Sequence, residues 1–267
     1  MELKSPTDTH DCLLYDMAVL PNCNILVADR WNKTVNVVEV ETGRLLSYVQ
    51  LPGSPYRLCL LPGDRFAVSL SGGSVTLIQI IDVSTDHLKL LDSVNVEGCC
   101  GGLAYMNNKF IVGLNDQCVA SINNEGKLLK SVSKDNTGNE LFKNLYYICV
   151  TTTKDAPSIY VSDRSTRTIT QLSEELEVLQ TFKFPTDLGP YGLAAAGGEQ
   201  LIVTGLGPDN CILWLLDTST GVFTKLLNKL DVGDWNGRVA ICPRMGRVYI
   251  NARKTGQNEN IKVYEIS

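Results

Sequence analysis

The chain has 267 residues, of which 44% are hydrophobic and 20% charged, and its formal net charge is −5. This composition is typical of a globular protein with a buried core, and the acidic balance argues against a surface that binds nucleic acid on every side. No apolar run reaches the length of a membrane span, and residues 1–11 carry no signal-peptide core. Nine cysteines without a Cys-x-x-Cys pair favour a reducing compartment, so we expect a cytoplasmic protein with no membrane partner.

A short pattern recurs six times along the chain: a variable residue, an apolar residue, then Ala or Cys, usually followed by another apolar residue. The Ala or Cys positions are Ala18, Cys59, Ala104, Cys149, Ala194 and Ala240. Their spacings are 41, 45, 45, 45 and 46 residues. A period of this length and regularity indicates a repeat architecture.

Two further β-type segments follow each copy of the pattern, and a third follows it most clearly in the first five units. The second segment carries a branched and then a small residue, as in Val27-Ala28, and the third begins at a Val or Ile such as Val35. The fourth carries an apolar pair, as in Leu128-Leu129, and turn residues separate the segments. Four short strands per repeat predict an all-β, six-bladed β-propeller with four antiparallel strands in each blade.

The predicted blades follow one another in a single domain that covers residues 1–267. Their approximate bounds are 14–53, 54–98, 99–141, 142–187, 188–233 and 234–267. The last unit has no room for a fourth strand, so we expect residues 1–5 to pair with residues 261–265 and to close the ring. The repeated Ala or Cys fits a crowded inner strand, and Cys59 and Cys149 are expected to be core residues.

Two of the six units carry a more specific motif. In the first, Val27-Ala28-Asp29 is followed by Asn32 and Val35, which resembles an NHL repeat; in the fourth, Val161-Ser162-Asp163 is followed by Ile169. The chain is most similar to the C-terminal propeller of tripartite-motif ubiquitin ligases. That resemblance implies a substrate-recognition propeller, with the RING, B-box and coiled-coil domains upstream and any oligomerisation through them.

Short acids at strand ends usually cap the turn that follows by accepting backbone hydrogen bonds. Asp29 and Asp163 both end the second segment of their unit. A structural role is therefore expected for both carboxylates.

One face of the predicted propeller gathers aromatic and basic side chains, because the loop into each first strand and the loop between its second and third strands lie on the same side. Tyrosines stand just before four of the six first strands. The predicted partner-binding residues are Tyr15, Arg30, Trp31, Tyr56, Arg57, Tyr146, Arg164, Arg167, Tyr191, Trp235, Arg238, Arg253 and Lys254. These residue types dominate binding hot spots. The alternative is that the tyrosines pack on neighbouring blades and the charges are only solvated.

A protein or peptide is the expected partner, and an anionic one is favoured because guanidinium groups bind carboxylate or phosphate through paired hydrogen bonds. RNA is the alternative, with bases stacked on the aromatic rings and phosphates on the arginines. We expect Arg57 and Arg238 to be surface side chains whose replacement by glutamate removes binding at little cost in stability.

Catalysis has little support in the sequence. The two histidines, His10 and His87, fall on opposite sides of the predicted blades, and no Ser–His–Asp or Cys–His set can be assembled. A metal-dependent propeller hydrolase or lyase needs several oxygen ligands at the channel, where Asp16 faces Arg57 and Arg238. The sequence therefore predicts a non-catalytic binding platform with no cofactor and no metal.

Overall fold

A computed structural model describes residues 1, 3–71, 75–83, 87–152, 157–206, 211–230, 237–252 and 260–265. These residues form 23 β-strands and contain no helix, which confirms the predicted all-β class. The described residues therefore contain no helix that could span a membrane.

The strands form six antiparallel sheets that follow one another in chain order, with each strand hydrogen-bonded to its sequence neighbours. The first three sheets contain β1 (Leu14–Val19), β2 (Ile25–Asp29), β3 (Thr34–Val38) and β4 (Leu45–Gln50); β5 (Ser54–Leu61), β6 (Arg65–Ser71), β7 (Val75–Asp82) and β8 (Lys89–Glu97); and β9 (Cys100–Met106), β10 (Lys109–Leu114), β11 (Cys118–Ile122) and β12 (Leu128–Val132). The last three contain β13 (Leu145–Thr152), β14 (Pro157–Asp163), β15 (Thr168–Leu172) and β16 (Val178–Lys183); β17 (Gly189–Gly197), β18 (Gln200–Leu206), β19 (Cys211–Asp217) and β20 (Phe223–Leu230); and β21 (Val239–Cys242), β22 (Arg247–Ala252) and β23 (Asn260–Glu265).

Each sheet coincides with a predicted repeat unit, and the repeated Ala or Cys lies in its first strand. The register is the same from sheet to sheet: Ala18 pairs with Leu26, and Cys59 pairs with Ala67. The six predicted units are therefore confirmed. The sheets group into two compact units, with sheets one, two and six in unit 1 and sheets three to five in unit 2. The single-domain assignment over residues 1–267 stays a prediction.

The sixth sheet has three strands among the described residues. Its expected fourth strand, residues 1–5, includes Glu2, which lies outside the described residues; residues 1 and 3–5 take part in no described strand pair. Leu3 nevertheless lies in a buried apolar cluster with Tyr249 and Ile261 of the sixth sheet. Its carbonyl also accepts a hydrogen bond of 2.7 Å from Asn36 Nδ2. The described N-terminal residues thus join the junction of the first and sixth sheets by packing.

Neighbouring sheets within each unit bury apolar side chains against one another. In unit 1, a core cluster contains Leu26 and Val35 of the first sheet together with Phe66 and Val68 of the second. Unit 2 has comparable clusters between its third and fourth sheets and between its fourth and fifth. Burial of these apolar surfaces is the main favourable contribution to folding.

The facing strands of the third and fourth sheets approach closely at two glycines. A Cβ atom on Gly102 would lie 2.6 Å from Ile148 Cγ1, and one on Gly113 would overlap Leu145 Cδ2. Only glycine leaves room for these side chains in a close-packed interior.

Gly102→Ala is expected to lower the free energy of unfolding by about 1–3 kcal/mol, because the new methyl group must displace Ile148. Gly53→Ala is the matched control, since its Cβ would lie 3.4 Å from Leu70 Cβ, an ordinary contact. Urea denaturation of both variants measures the difference. Equal losses of stability at the two positions would contradict the close approach of β9 and β13.

Candidate partner-binding site

The predicted site tyrosines lie in β-bulges within the first strands. The pairing of β1, β5 and β13 with their neighbours skips Tyr15, Tyr56 and Tyr146, and the pairing of β17 skips Tyr191 and the glycine after it. The prediction that these tyrosines stand before the strands is wrong, because each strand begins upstream of its tyrosine. A bulge redirects the extra side chain away from the regular pleat, which gives a large ring a place in a crowded strand.

In unit 1, two tyrosine rings and three guanidinium groups form what we call the tyrosine–arginine cluster: Tyr15, Arg30, Tyr56, Arg57 and Arg238. The ring centroids of Tyr15 and Tyr56 are 5.1 Å apart, with an interplanar angle of 44°. Arg30 Cζ lies 4.4 Å from the centroid of Tyr15 and 5.8 Å from that of Tyr56. Arg57 Cζ is 4.5 Å from the Tyr56 centroid, and Arg238 Cζ is 5.4 Å from the Tyr15 centroid. All four distances are within the range of cation–π attraction.

Arg57 and Arg238 are buried, with 1% and 2% of their surfaces exposed. The backbone N–H of Arg57 donates to Ser69 Oγ at 3.1 Å, and that of Arg238 donates to Asn251 Oδ1 at 2.9 Å. The expectation that both are surface side chains is wrong. The first strands β5 and β21 both contact β1, and Arg57 and Arg238 lie against Tyr15 of β1, so the neighbouring sheet covers both side chains.

The carboxylate of Asp16 is buried beside the tyrosine–arginine cluster, where β1 contacts β5. It is 1% exposed, and its Oδ2 accepts a hydrogen bond of 2.8 Å from the backbone N–H of Leu58. Arg57 Nη1 donates in the opposite direction, to the carbonyl of Tyr15 at 3.5 Å. These two bonds tie β1 to β5 at the point where the two tyrosine bulges meet.

Asp29 holds the turn that carries Arg30 and Trp31. Its Oδ1 accepts hydrogen bonds from the backbone N–H groups of Leu13, Trp31 and Asn32 at 3.1, 3.1 and 3.3 Å. Its Oδ2 accepts another from Asn32 Nδ2 at 2.8 Å. The structural role expected for Asp29 is confirmed. The turn presents Trp31 with 45% of its surface exposed and Arg30 partly exposed.

Asp163 holds the corresponding turn in unit 2. Its Oδ2 accepts from the backbone N–H groups of Lys143 at 2.6 Å and Asn144 at 2.8 Å, and its Oδ1 accepts from Thr166 at 2.8 Å. The structural role expected for Asp163 is confirmed as well. In both motifs, the acid joins the chain that enters the first strand to the turn that follows the second.

The tyrosines of unit 2 pack directly on each other. The ring centroids of Tyr146 and Tyr191 are 3.9 Å apart, and their hydroxyl groups are hydrogen-bonded. Tyr191 is only 6% exposed, and its carbonyl accepts a hydrogen bond of 3.0 Å from Ser162 Oγ. The alternative that the tyrosines pack between neighbouring blades therefore holds for this pair.

Two further predicted site residues, Arg164 and Arg167, are exposed in unit 2. Arg167 Nη1 forms an ion pair of 2.7 Å with Asp187 Oδ1. A cavity of about 530 Å³ lies beside this pair and is lined by Arg167, Lys183, Phe184, Pro185, Thr186 and Asp187. The remaining predicted residues, Trp235, Arg253 and Lys254, lie outside the described residues.

Asp8, Cys12 and Asp29 bring possible metal-ligating atoms within 4.8 Å of one another in the described part of unit 1. Both Asp8 oxygens accept hydrogen bonds from Ser5, and Asp29 holds its turn. Burial, and then the charge of Asp29, raises the pKa of the Cys12 thiol, which disfavours the thiolate that binds metals. These contacts give the group a structural role where the chain enters β1.

No family model matches the sequence, and no curated protein matches it. Solved structures are similar in fold. The β-propeller domain of Cps50 (Swd1) from Myceliophteria thermophila has 12% sequence identity and a TM-score of 0.67, covering 98% of this chain and 86% of that one. The WD40 β-propeller domain of Doa1 has 14% identity and a TM-score of 0.61, with coverages of 97% and 85%. Virginiamycin B lyase from Staphylococcus aureus has 14% identity and a TM-score of 0.65, with coverages of 97% and 86%.

Identities this low show the fold alone. Two of these structures are β-propeller domains that cover nearly the whole chain, and the six repeat units each form a sheet. The predicted six-bladed β-propeller is therefore confirmed. The comparisons do not choose between an enzyme and a binding domain, since both share this fold.

Arg57→Ala is expected to lower the free energy of unfolding by about 2–4 kcal/mol, because it removes a large buried side chain from its packing. Arg44→Ala, at an exposed arginine in the turn between β3 and β4, should change it by about 0.5 kcal/mol or less. Chemical denaturation compares the two variants. Near-equal stabilities would contradict the burial of Arg57.

Asp163→Ala is expected to cost about 2–4 kcal/mol, because three backbone N–H groups lose the acceptor that satisfies them. Asp187→Ala removes a solvent-exposed carboxylate and should cost about 1 kcal/mol or less. Thermal unfolding followed by circular dichroism provides the comparison. If the first variant melts no earlier than the second, Asp163 does not hold the turn.

Proposed function

We propose that this chain is a non-catalytic binding platform, the substrate-recognition propeller of a tripartite-motif-type ubiquitin ligase. The family part of the proposal rests on the two NHL-like motifs, whose acids Asp29 and Asp163 each accept from the residue before the first strand and from the third residue after the acid. The cytoplasmic location, and oligomerisation through upstream domains, belong to the same proposal.

The tyrosine–arginine cluster is the proposed docking site, and its ligand is an acidic or phosphorylated peptide. The observation that carries this assignment is the convergence of three guanidinium groups on two tyrosine rings that lie tilted against each other. Guanidinium groups match the geometry of carboxylate and phosphate, and the rings offer apolar area beside them. Electrostatic attraction is also stronger where the charges are partly removed from water.

The cluster divides into residues that can touch a ligand and residues that position them. Tyr15, Tyr56 and Arg30 are partly exposed, and Trp31, which follows Arg30 in the sequence, is 45% exposed. Arg57 is buried and anchored to the backbone of β1, so it positions the Tyr56 ring and contributes charge from below the surface. A site whose side chains are held in place before binding loses less conformational entropy on binding.

The other predicted residues stay predictions of a wider partner surface. In unit 2, Arg164 and Arg167 are the exposed cations among them, whereas Tyr146 and Tyr191 stabilise the packing of their sheets. Arg167 already pairs with Asp187, so an anionic ligand would compete with that carboxylate. The cluster in unit 1 is therefore the stronger candidate for the first contact.

Arg30→Glu is expected to weaken binding of a fluorescein-labelled hexaglutamate peptide by about tenfold or more, equivalent to about 1.4 kcal/mol. Arg44→Glu is the matched control, because it makes the same change in net charge at an exposed arginine on the opposite end of the β3–β4 pair. Fluorescence anisotropy measures both affinities at fixed ionic strength. A loss at Arg30 with none at Arg44 supports the site.

Equal affinities in Arg30→Glu and Arg44→Glu would contradict the assignment of the cluster as the docking site. A labelled hexauridylate RNA tests the second candidate ligand, which is RNA instead of a peptide. Binding of this RNA that falls roughly a hundredfold between about 50 and 200 mM salt, with no binding of the peptide, would replace the peptide by RNA. The ligase part is tested separately: a gene whose reading frame encodes neither a RING nor a coiled coil upstream of this chain would contradict it.

A further inference from the structure

Two cysteines meet where the first and sixth sheets of unit 1 adjoin. Cys23 lies in the turn between β1 and β2, and Cys242 ends β21. Their Sγ atoms are 3.1 Å apart, although the residues are separated by 219 positions in the sequence. The two thiols are therefore neighbours through the fold rather than through local sequence.

Contacts other than the sulfur atoms hold these two hairpins together. Arg244 Nη1 donates a hydrogen bond of 2.8 Å to the carbonyl of Pro21, so the β21–β22 turn is fixed to the β1–β2 turn. Arg247 Nη1 forms an ion pair of 2.7 Å with Glu41 Oε1 in the turn between β3 and β4, which links the same two sheets at a second place. Cys242 and Tyr249 belong to the same buried apolar cluster as residues of the first sheet, with Cys23 packed against it. These contacts hold the two thiols in place. The sulfur atoms are 3.1 Å apart, so a disulfide of ordinary length, about 2.05 Å, requires them to approach by only about 1 Å.

The two thiols differ in access. Cys23 is partly exposed, whereas Cys242 is 2% exposed. A reagent in solution can therefore reach Cys23, and Cys242 is placed to act second from inside. The hydrogen bond with Cys242, and then burial, raises the pKa of the Cys23 thiol, so its reaction should accelerate as the pH rises towards the alkaline range.

We propose that Cys23 and Cys242 are a covalent modification site: they form a disulfide that links the first and sixth sheets when a small disulfide such as oxidised glutathione acts as the oxidant. The Cys23 thiolate attacks one sulfur of the small disulfide, and a mixed disulfide forms as the first glutathione thiolate leaves. Cys242 then loses its proton and attacks Cys23 Sγ, which releases the second glutathione. The two protein thiols lose two electrons, the small disulfide gains them, and the two protons end on the released glutathione thiols.

The remaining described cysteines are placed differently. Cys99 is exposed and Cys100 buried at the start of the third sheet, and the Cys100 thiol donates to the carbonyl of Gly102 at 2.8 Å. Burial raises the pKa of Cys149 to about 12, so this thiol stays protonated at neutral pH. Cys99 is more exposed than Cys23 and can also react with the small disulfide, so the peptide map of the test distinguishes the two sites.

A link between residues this far apart in sequence constrains the unfolded chain strongly. Among the described residues, no strand pair joins the sixth sheet to the first. Side-chain packing and hydrogen bonds hold the two sheets together instead. The disulfide is therefore expected to raise the melting temperature by adding a covalent link between the first and sixth sheets.

The test oxidises the intact chain with a graded ratio of oxidised to reduced glutathione at mildly alkaline pH, then blocks free thiols and maps the peptides by mass spectrometry. The expected result is a peptide pair joined through Cys23 and Cys242, with the loss of two hydrogen atoms from the protein. Oxidation should raise the melting temperature of the parent and of Cys118→Ser, a control at another partly buried thiol, but not that of Cys23→Ser.

Three outcomes would overturn the proposal. The first is a mapped disulfide that joins other cysteines, such as Cys99 to Cys100. The second is Cys23 that stops at the glutathione mixed disulfide under the most oxidising ratio. The third is a linked protein whose melting temperature does not rise. The peptide map is made on the parent chain, so the first two results do not depend on the folding of any variant.

Discussion

The close approach of first strands within each unit is the constraint on which the other features depend. Where β9 faces β13, glycine is required because Ile148 fills the space that a Cβ atom on Gly102 would occupy. The repeated Ala or Cys places a small side chain at one position in every first strand. Larger apolar residues then fill the wider spaces between the sheets, where the buried clusters lie. A crowded first strand and a well-filled space between sheets are two parts of one packing solution.

β-Bulges allow the crowded first strands to carry large tyrosine rings. An extra residue interrupts the ladder, so a ring can leave the line of small side chains without shifting the register of the remaining strand. In unit 1 the bulges of β1 and β5 bring two such rings into contact, and arginines cover them. In unit 2 the corresponding rings satisfy each other through their hydroxyl groups. The same backbone device thus produces a basic cluster in one unit and a packed tyrosine pair in the other.

Stability and recognition share residues in the tyrosine–arginine cluster. A buried guanidinium group loses its hydration, so it must be compensated by hydrogen bonds, rings and nearby carboxylates. Asp16 and Arg57 link β1 to β5 through backbone hydrogen bonds, so they contribute to folding whether or not a ligand binds. Arg30 lies in a turn held by Asp29, and its side chain can change without disturbing that turn. This separation makes Arg30 the residue through which binding can be studied apart from folding.

The sequence by itself determined the features that depend on short separations along the chain. The repeat period located all six sheets, the repeated Ala or Cys set the register of their first strands, and the strand-end acids Asp29 and Asp163 were recognisable as turn-holding groups. Each of these features involves residues of one repeat unit, so local pattern and turn chemistry suffice to predict it. Only the tertiary structure decided the bulges, the burial of Arg57 and Arg238, and the meeting of Cys23 with Cys242. The physical reason is that a residue's exposure and partners depend on which neighbouring sheet covers it, and for Cys23 that neighbour lies 219 positions away.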